Sequence, residues 1–179
     1  MATMRADAAR NREKVLDAAR ELFATQGFEV PLDEIATRAG VGPGTVYRHF
    51  PTKQALFQAV TETRVAAMIA SAEEPADSPE QALFAFLTKM ADEAAVKRDM
   101  SDAITVSPEL RKGLHAALGG LLQKAQEAGG VRQDVTATDL VVLMKGMLQS
   151  MHEGANPAVL LEIVLGGLQS HVSSPDHAR

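Results

Sequence analysis

The residues between positions 44 and 53 carry the side chains that are best suited to bind an anionic partner. Hydroxyl, guanidinium, imidazole and ammonium groups follow one another closely here: Thr45, Tyr47, Arg48, His49, Thr52 and Lys53. Such groups donate hydrogen bonds to phosphate oxygens, and an arginine can also pair with a guanine edge through two hydrogen bonds. The pattern therefore indicates recognition of a phosphate backbone and of base edges.

Two short helices joined at a glycine are the elements that must position these groups. The first is predicted from an apolar stripe at helical spacing, which consists of Leu32, Ile35, Ala36 and Ala39. Gly40 follows this stripe and suits the left-handed backbone that ends a helix.

The second helix is predicted from Val41 to Phe50, and these two residues can bury against the first helix together with Val46. This docking turns four polar side chains outward together: Thr45, Tyr47, Arg48 and His49. Pro51 ends the segment, and Thr52 can cap a new helix whose exposed amide groups suit a phosphate. The arrangement is that of a helix-turn-helix, whose second helix lies in the major groove of DNA.

The stretch resembles the N-terminal signature of the tetracycline-repressor (TetR) family of bacterial regulators. The matching segments are LDAARELFATQGF, IATRAGVGPGTVYRHF and PTKQALF, which span roughly residues 11–60. The spacing of Gly40, Tyr47, Phe50 and Lys53 makes the likeness specific. The resemblance implies an all-α fold, in which a three-helix DNA-binding domain precedes a helical ligand-binding and dimerisation domain. It also implies a homodimeric repressor that a small-molecule effector releases from its operator.

The resemblance and the chemistry of the side chains together assign expected roles at the DNA. His49 and Lys53 are expected to contact phosphates. Tyr47 is expected to contact a phosphate and to pack, because its ring leans on neighbouring helices while its hydroxyl points outward. Thr45 and Arg48 are the candidates for base edges. Gly44 lets the start of the helix approach the DNA backbone closely.

One departure from the family pattern precedes the first of these two helices. Val30-Pro31-Leu32 stands where many members carry a longer turn with a threonine cap. Pro31 in the first helical turn, followed by Asp33 and Glu34 near the positive helix end, offers a physical substitute.

Charge is distributed unevenly along the chain. The formal net charge is −5, of which residues 1–53 carry +1 and the remaining residues −6. Arg5, Arg10, Arg12 and Lys14 cluster before or at the start of the first helix of the chain, where they can reach phosphates or the minor groove. A solvated charged terminus is the alternative for each of them. With so few cations, we expect affinity to depend on docking geometry and dimerisation, with a moderate dependence on salt.

Helical periodicity and loop signals divide the chain into a head and a body. The first helix is predicted from about Asn11 to Gln26, and the fourth from near Thr52 to about Ser71. A loop with two prolines follows at residues 73–79. We therefore predict a DNA-binding domain at residues 1–55, a connector to about residue 71, and an effector-binding and dimerisation domain at residues 72–179.

Proline and glycine signals place the helices of the body. Helices are predicted to begin at Ser78-Pro79, at Pro108 and at Asn156-Pro157, and Gly129-Gly130 ends the second of these. The segment 101–106 is ambiguous. No strand is predicted.

The last two helices, Leu140–Met151 and Val159–Leu168, are apolar around more of their circumference than one core face requires. The simplest partner for the second face is another copy of the chain, and the resemblance implies the same symmetric interface. Two recognition helices then lie about 34–36 Å apart and read a pseudo-palindromic operator in double-stranded DNA. The alternative is a larger monomeric core that buries both helices.

A small-molecule effector of unknown identity is the second partner that the resemblance implies. Candidate pocket residues share either an adaptable apolar surface or a group that can orient a polar ligand: Phe86, Met90, Thr105, His115, Met144, Met147 and Met151. Ordinary core packing is the alternative for Phe86 and the methionines, and a place at the edge of the core is the alternative for His115.

Signatures of enzymes and of metal or cofactor sites are missing from the sequence. The chain contains no cysteine, and its five histidines lie far apart without an HExxH pattern. No cofactor is expected. No apolar run approaches the roughly 18 residues of a membrane span, so we expect a cytoplasmic protein without a membrane partner. The remaining alternative function is a helical small-molecule carrier or a protein-interaction module without specific DNA binding.

Overall fold

The computed structural model describes residues 2–95, 107–152 and 154–170, and most of these residues are helical. Within these ranges the helices, in chain order, are α1 (Ala2–Gln26), α2 (Leu32–Ala39), α3 (Pro43–His49), α4 (Lys53–Ser71), α5 (Pro79–Ala95), α6 (Pro108–Glu127), α7 (Ala137–His152) and α8 (Pro157–Leu168). The same ranges contain no β-strand beyond an isolated bridge between Val131 and Gln169. The predicted all-α fold is confirmed. None of the described helices is both long and apolar enough to cross a membrane.

The helices form two compact units whose border lies within α4, between Ala66 and Ala67. The first unit contains α1, α2, α3 and most of α4, together with the first residues of α6 up to Leu110. The second unit contains the end of α4, α5, the remainder of α6, α7 and α8.

The core of the first unit forms where its four helices turn their apolar sides together. Its almost completely buried members come from all four helices: Val15, Ala19, Ile35, Val46 and Leu56. Phe23 joins them and packs against Phe28 and Phe57, with ring centroids 6.0 Å and 5.2 Å away. This burial stabilises α3, which at seven residues is too short to be stable alone.

The turn between α2 and α3 depends on Gly40. Its φ of 66° lies in the left-handed region, as predicted, and a side chain there would strain the backbone. The amide of Val41 donates to the carbonyl of Ala36 at 3.0 Å. The turn thereby sets the direction in which α3 leaves α2.

The start of α2 has no side-chain cap, because Pro31 occupies the capping position. The amides of Glu34 and Ile35 donate to the carbonyl of Pro31 at 3.1 and 3.3 Å. The sequence interpretation puts Pro31 inside the first helical turn, whereas it stands one residue earlier. Asp33 and Glu34 lie in that first turn, as expected for acids at a positive helix end.

The helix α1 begins at Ala2, well before the start predicted near Asn11. Residues 2–10 contain alanines and arginines, which favour helix, and no glycine or proline. Nothing in this segment therefore ends the helix, and the side chains of residues 6–10 are exposed to solvent.

The second unit has its own core, drawn from α5, α6, α7 and α8, the end of α4 and the loop before α7. Its most deeply buried members are Leu83, Leu87, Leu118, Val131, Leu140 and Met144. The predicted starts of α5 and α8 are confirmed. Both are capped, since the hydroxyl of Ser78 accepts from the amide of Gln81 at 3.1 Å and the side chain of Asn156 accepts from the amide of Ala158 at 3.0 Å.

The start of α7 carries a reciprocal cap that the sequence reading misses. The amide of Thr136 donates to Oδ2 of Asp139 at 2.9 Å, and the amide of Asp139 donates to Oγ1 of Thr136 at 3.2 Å. This is the capping-box arrangement with an aspartate in place of the usual glutamate. The hydrogen bonds from Thr136 lower the pKa of the Asp139 carboxyl.

The loop between α6 and α7 is fastened to the end of α8 by Arg132. Its backbone amide donates to the carbonyl of Leu168 at 3.0 Å, and its guanidinium donates to the carbonyl of Gly167 at 3.3 Å. The same guanidinium donates two hydrogen bonds to Asp134, at 2.6 and 2.7 Å. These bonds lower the pKa of the Asp134 carboxyl.

Candidate nucleic-acid interface

The exposed side of α3 carries the residues that sequence analysis assigns to DNA. Tyr47 is 49% exposed, Arg48 is exposed, and Thr45 and His49 are half-buried. They share one helix whose opposite side is held in the core by Val46. The structure thus brings the four side chains to one short helix, and their contacts with DNA stay predictions.

Gly44 lies in the first turn of the same helix and is exposed. A Cβ built at this position would meet no atom within 4 Å. The chain itself therefore does not require a glycine here, and close approach of DNA at Gly44 stays a prediction.

The turn between α3 and α4 is formed by Pro51 and Thr52. The hydroxyl of Thr52 accepts a hydrogen bond from the amide of Ala55 at 3.0 Å, which confirms the predicted cap of α4. Lys53 follows as the first residue of α4. A phosphate contact by either residue stays a prediction.

Lys53 also has a structural role within the first unit, which its position in the sequence does not predict. Its ammonium donates to the carbonyl of Phe28 at 3.0 Å and lies 5.0 Å from the centroid of the Phe28 ring. The side chain thereby ties the start of α4 to the loop between α1 and α2. Because an ammonium has three donors, two remain for a phosphate.

Several cations of the first unit are neutralised by neighbouring carboxylates. Arg10 pairs with Asp7, and Arg20 pairs with Asp17 at 3.4 Å. Arg38 donates two hydrogen bonds to Glu21, at 2.5 and 2.6 Å, and so links α2 to α1. Exposed pairs of this kind add little stability, but they remove charge from the surface that is available to DNA.

The candidate effector residues lie in different environments. Phe86, Met144 and Met147 are buried in the second unit's core, with Met90 packed against them. His115 is exposed on α6. Thr105 lies outside the described residues, as does the side chain of Met151. A groove of about 60 Å³ borders Phe86, which is space for little more than water.

The helices α7 and α8 expose an apolar surface to solvent. Val142 and Leu143 of α7 are 63% and 46% exposed, and Val159 and Ile163 of α8 are 49% and 65% exposed. A groove of about 530 Å³ runs along these helices and is lined mostly by apolar side chains. The two C-terminal helices thus have large side chains that their own unit leaves uncovered.

A three-helix head with a short exposed recognition helix, followed by a separate helical unit, defines a helix-turn-helix transcriptional regulator. The chain matches the model of bacterial regulatory proteins of the tetR family over residues 15–60. It also matches the model of the SbtR-like transcriptional regulator C-terminal domain over residues 78–170, which is more than half of the chain. The chain belongs to the TetR family of bacterial transcriptional regulators, as its motifs indicate.

Individual relatives agree with this assignment. Over 60 residues the chain is 45% identical to the HTH-type transcriptional regulator TtgW of Pseudomonas putida, a match that covers 33% of this chain and 45% of TtgW. The matches to this and the next curated relatives cover less than half of their length.

Similarity to solved structures extends over nearly the whole chain. A TetR transcription regulatory protein from Mycobacterium vanbaalenii is 42% identical, with a TM-score of 0.70 over 93% of this chain and 99% of that one. A TetR transcriptional regulator from Streptomyces coelicolor is 33% identical, with a TM-score of 0.71 over 90% of this chain and 99% of that one. Both units therefore have counterparts in the same family.

Proposed function

We propose that this regulator is a homodimeric repressor that binds a pseudo-palindromic operator and is released from it by a small-molecule effector. The two α3 helices of the dimer read successive major grooves on one side of the DNA. The protein acts in the bacterial cytoplasm, where this DNA lies. Repression is proposed over activation because it is the mode that the family resemblance implies.

The uncovered apolar surface of α7 and α8 is the observation that carries this proposal. Five large hydrophobic residues are exposed within the described part of the chain, and four of them, Val142, Leu143, Val159 and Ile163, belong to these two helices. Contiguous apolar surface on a small protein favours association. A second copy presents the same surface, so a two-fold axis pairs like with like.

The proposed DNA contacts follow from what α3 and its flanks expose. Thr45 and Arg48 reach base edges, while Tyr47, His49 and the α4 start at Thr52 and Lys53 contact phosphates. Gly44 allows the first turn of α3 to approach the DNA backbone. Arg10, Arg20 and Arg38 are held by carboxylates, whereas no described carboxylate pairs with Arg48 or Lys53.

The effector site is proposed in the core of the second unit. Phe86, Met90, Met144 and Met147 already form one apolar cluster there, and methionines repack readily around a ligand. An effector that binds one arrangement of the dimer more tightly than the other shifts the protein toward it. Its chemical class is accordingly a small, largely apolar molecule.

Selection of the purified protein against random duplex DNA tests the proposal. We expect the selected sequence to be palindromic and to bind at least about a thousandfold more tightly than a scrambled duplex at the same salt concentration. Sedimentation of the complex is expected to show two chains for each duplex. Equal, salt-sensitive binding to both duplexes would contradict specific recognition, and one chain for each duplex would contradict the dimer.

Effector release is tested with the same operator. A set of small apolar compounds is screened for those that raise the melting temperature, because a ligand that binds the folded state stabilises it. Each hit is then added to the protein–operator complex. Loss of fluorescence anisotropy on addition supports release, whereas stabilisation without release would contradict the proposed coupling.

A further inference from the structure

We infer that Arg12 is a further phosphate-contacting residue of the DNA interface, held in place by the ring of Phe50 at the end of the recognition helix. The inference rests on the proposed docking of α3 in the major groove. Within the N-terminal basic cluster, Arg12 then contacts DNA, whereas Arg10 is paired with Asp7 and is not assigned to DNA.

The contact between Arg12 and Phe50 joins α1 to the end of α3. The guanidinium carbon of Arg12 lies 5.3 Å from the centroid of the Phe50 ring. Phe50 is the residue that caps the end of α3, is 3% exposed, and donates its amide to the carbonyl of Val46 at 2.8 Å. The ring is therefore fixed by the core, and a cation above its face is attracted to it.

The position of Arg12 along α1 explains how it reaches this ring. It precedes the buried residues Val15 and Leu16 by three and four positions, so it lies on the core-facing side of the helix one turn earlier. An apolar residue there would simply extend the core. An arginine instead brings its guanidinium over the Phe50 ring while the residue stays exposed to solvent.

Arg12 differs from Arg10 and Arg20 of α1 in its charge environment. Arg10 and Arg20 each pair with an aspartate one turn away. Arg12 is exposed and forms no hydrogen bond or ion pair with any residue that the structure describes. No described residue therefore occupies any of its five donors, and they can meet an anion.

The location of this available charge favours DNA over another anion. Phe50 lies between His49, the last residue of α3, and the Pro51-Thr52 turn that leads into α4. The phosphates that flank a major groove pass the ends of a recognition helix and its neighbours. A guanidinium held at this point lies beside the proposed phosphate contacts of His49 and Thr52.

Substitution of Arg12 by methionine provides the test. Arg12→Met keeps an unbranched stem against Phe50 and removes the charge. Arg20→Met is the matched control, because it removes the same charge from the same helix at an ion-paired position. Affinity for the selected operator and for a scrambled duplex is measured by anisotropy between about 0.1 and 1 M salt.

The salt slope is the slope of log affinity against log salt concentration, and we expect Arg12→Met to make it shallower by about one for each head bound to DNA. Relative to its effect at 1 M salt, the substitution should then reduce the affinity at 0.1 M salt by a further factor of about eight for each head. The loss should be equal on both duplexes, since a phosphate contact carries no sequence information. Arg20→Met should bind like the wild type, and Arg12→Lys should keep the wild-type slope.

Two outcomes would overturn the inference. Weaker binding of Arg12→Met with an unchanged salt slope would make Arg12 a structural clamp on α3, and wild-type affinity and slope would show that it has no role. Failure of the proposed function is distinguishable, since the wild-type protein itself would then show no preference for a selected operator. Melting curves of each variant confirm that the head is folded.

Discussion

Tyr47 and Arg48 are neighbours on the exposed side of α3, and their side chains suit different parts of DNA. A guanidinium matches the two acceptors of a guanine, whereas a phenol hydroxyl offers one donor that suits a phosphate oxygen. One residue is therefore expected to determine sequence preference and the other to determine affinity.

Arg48→Ala is predicted to blur the preference at one base pair of each half-site. The expected loss is about 1–3 kcal/mol of discrimination, because the bidentate contact to a base edge is removed. Anisotropy titrations against the selected operator and its single-base variants measure it.

Tyr47→Ala serves as the comparison, because it is expected to weaken binding to all of these duplexes by the same factor. If Arg48→Ala kept the wild-type order of preference among the duplexes, the assignment of Arg48 to a base edge would be wrong.

Asp134 is predicted to make the stability of the second unit depend on pH. Arg132 lowers the pKa of this carboxyl in the folded state, so its stabilising effect is complete above the unfolded pKa and disappears as pH falls through the folded pKa. Asp134→Asn should therefore melt at a lower temperature than the wild type at neutral pH. The difference should shrink as the pH falls through the acid range.

Thermal unfolding between neutral pH and the acid range measures this effect. Asp77→Asn, in the exposed loop before α5, is the matched control and should follow the wild type. A gap between Asp134→Asn and the wild type that stayed constant down to the lowest pH would show that the Arg132–Asp134 contact does not link stability to pH.

Among the helices, α4 contains the border between the two units, and its first turn is expected to affect both the stability of the protein and its affinity for DNA. Thr52 caps α4 through the amide of Ala55, and the same end of the helix is proposed to face a phosphate. Stability and DNA binding can be separated here, because an aspartate caps a helix as well as a threonine does.

Thr52→Ala is predicted to lower the free energy of unfolding by about 1 kcal/mol through loss of the cap. Thr52→Asp should keep that stability and yet weaken binding to any duplex, because its negative charge meets the DNA phosphates. Denaturant titrations and anisotropy distinguish the two effects.

Ser78→Asp is the control for this pair, since Ser78 caps α5 in the second unit with a hydrogen bond of 3.1 Å from Gln81. It should retain both stability and DNA affinity. Wild-type DNA affinity of Thr52→Asp would place the start of α4 away from the phosphates.

At the scale of the whole molecule, dimerisation is predicted to depend on the uncovered side chains of α7 and α8. Ile163→Glu introduces a charge at a residue that is 65% exposed in the single chain, so the fold of the chain should survive while the interface does not. Sedimentation should show a monomer. Affinity for a palindromic operator should fall at least about a hundredfold, because the two heads no longer bind as one linked pair.

Ala116→Glu on α6 is the control, because this residue is also exposed and lies outside the proposed interface. It should remain a dimer with wild-type affinity. A dimeric Ile163→Glu that still binds the operator tightly would exclude this surface as the contact between subunits.

The sequence by itself determined the local structure of this protein and the family to which it belongs. The glycine at position 40, the proline starts of α5, α6 and α8, and the caps at Thr52, Ser78 and Asn156 act within a few residues of themselves. Such signals depend on backbone geometry and on neighbouring amides, so they can be recognised without knowledge of distant contacts. The helix-turn-helix motif is a combination of signals of this kind.

Only the tertiary structure decided which side chains share a task across long separations. Lys53 donates to a carbonyl 25 residues earlier, and Arg132 donates to one 35 residues later. Arg12 lies on a ring at the far end of α3, and Val142 and Ile163 remain outside the core although their helices are apolar on several sides. Each outcome depends on how helices pack, because packing decides which charge meets a partner and which apolar face meets solvent, and no local signal contains that information.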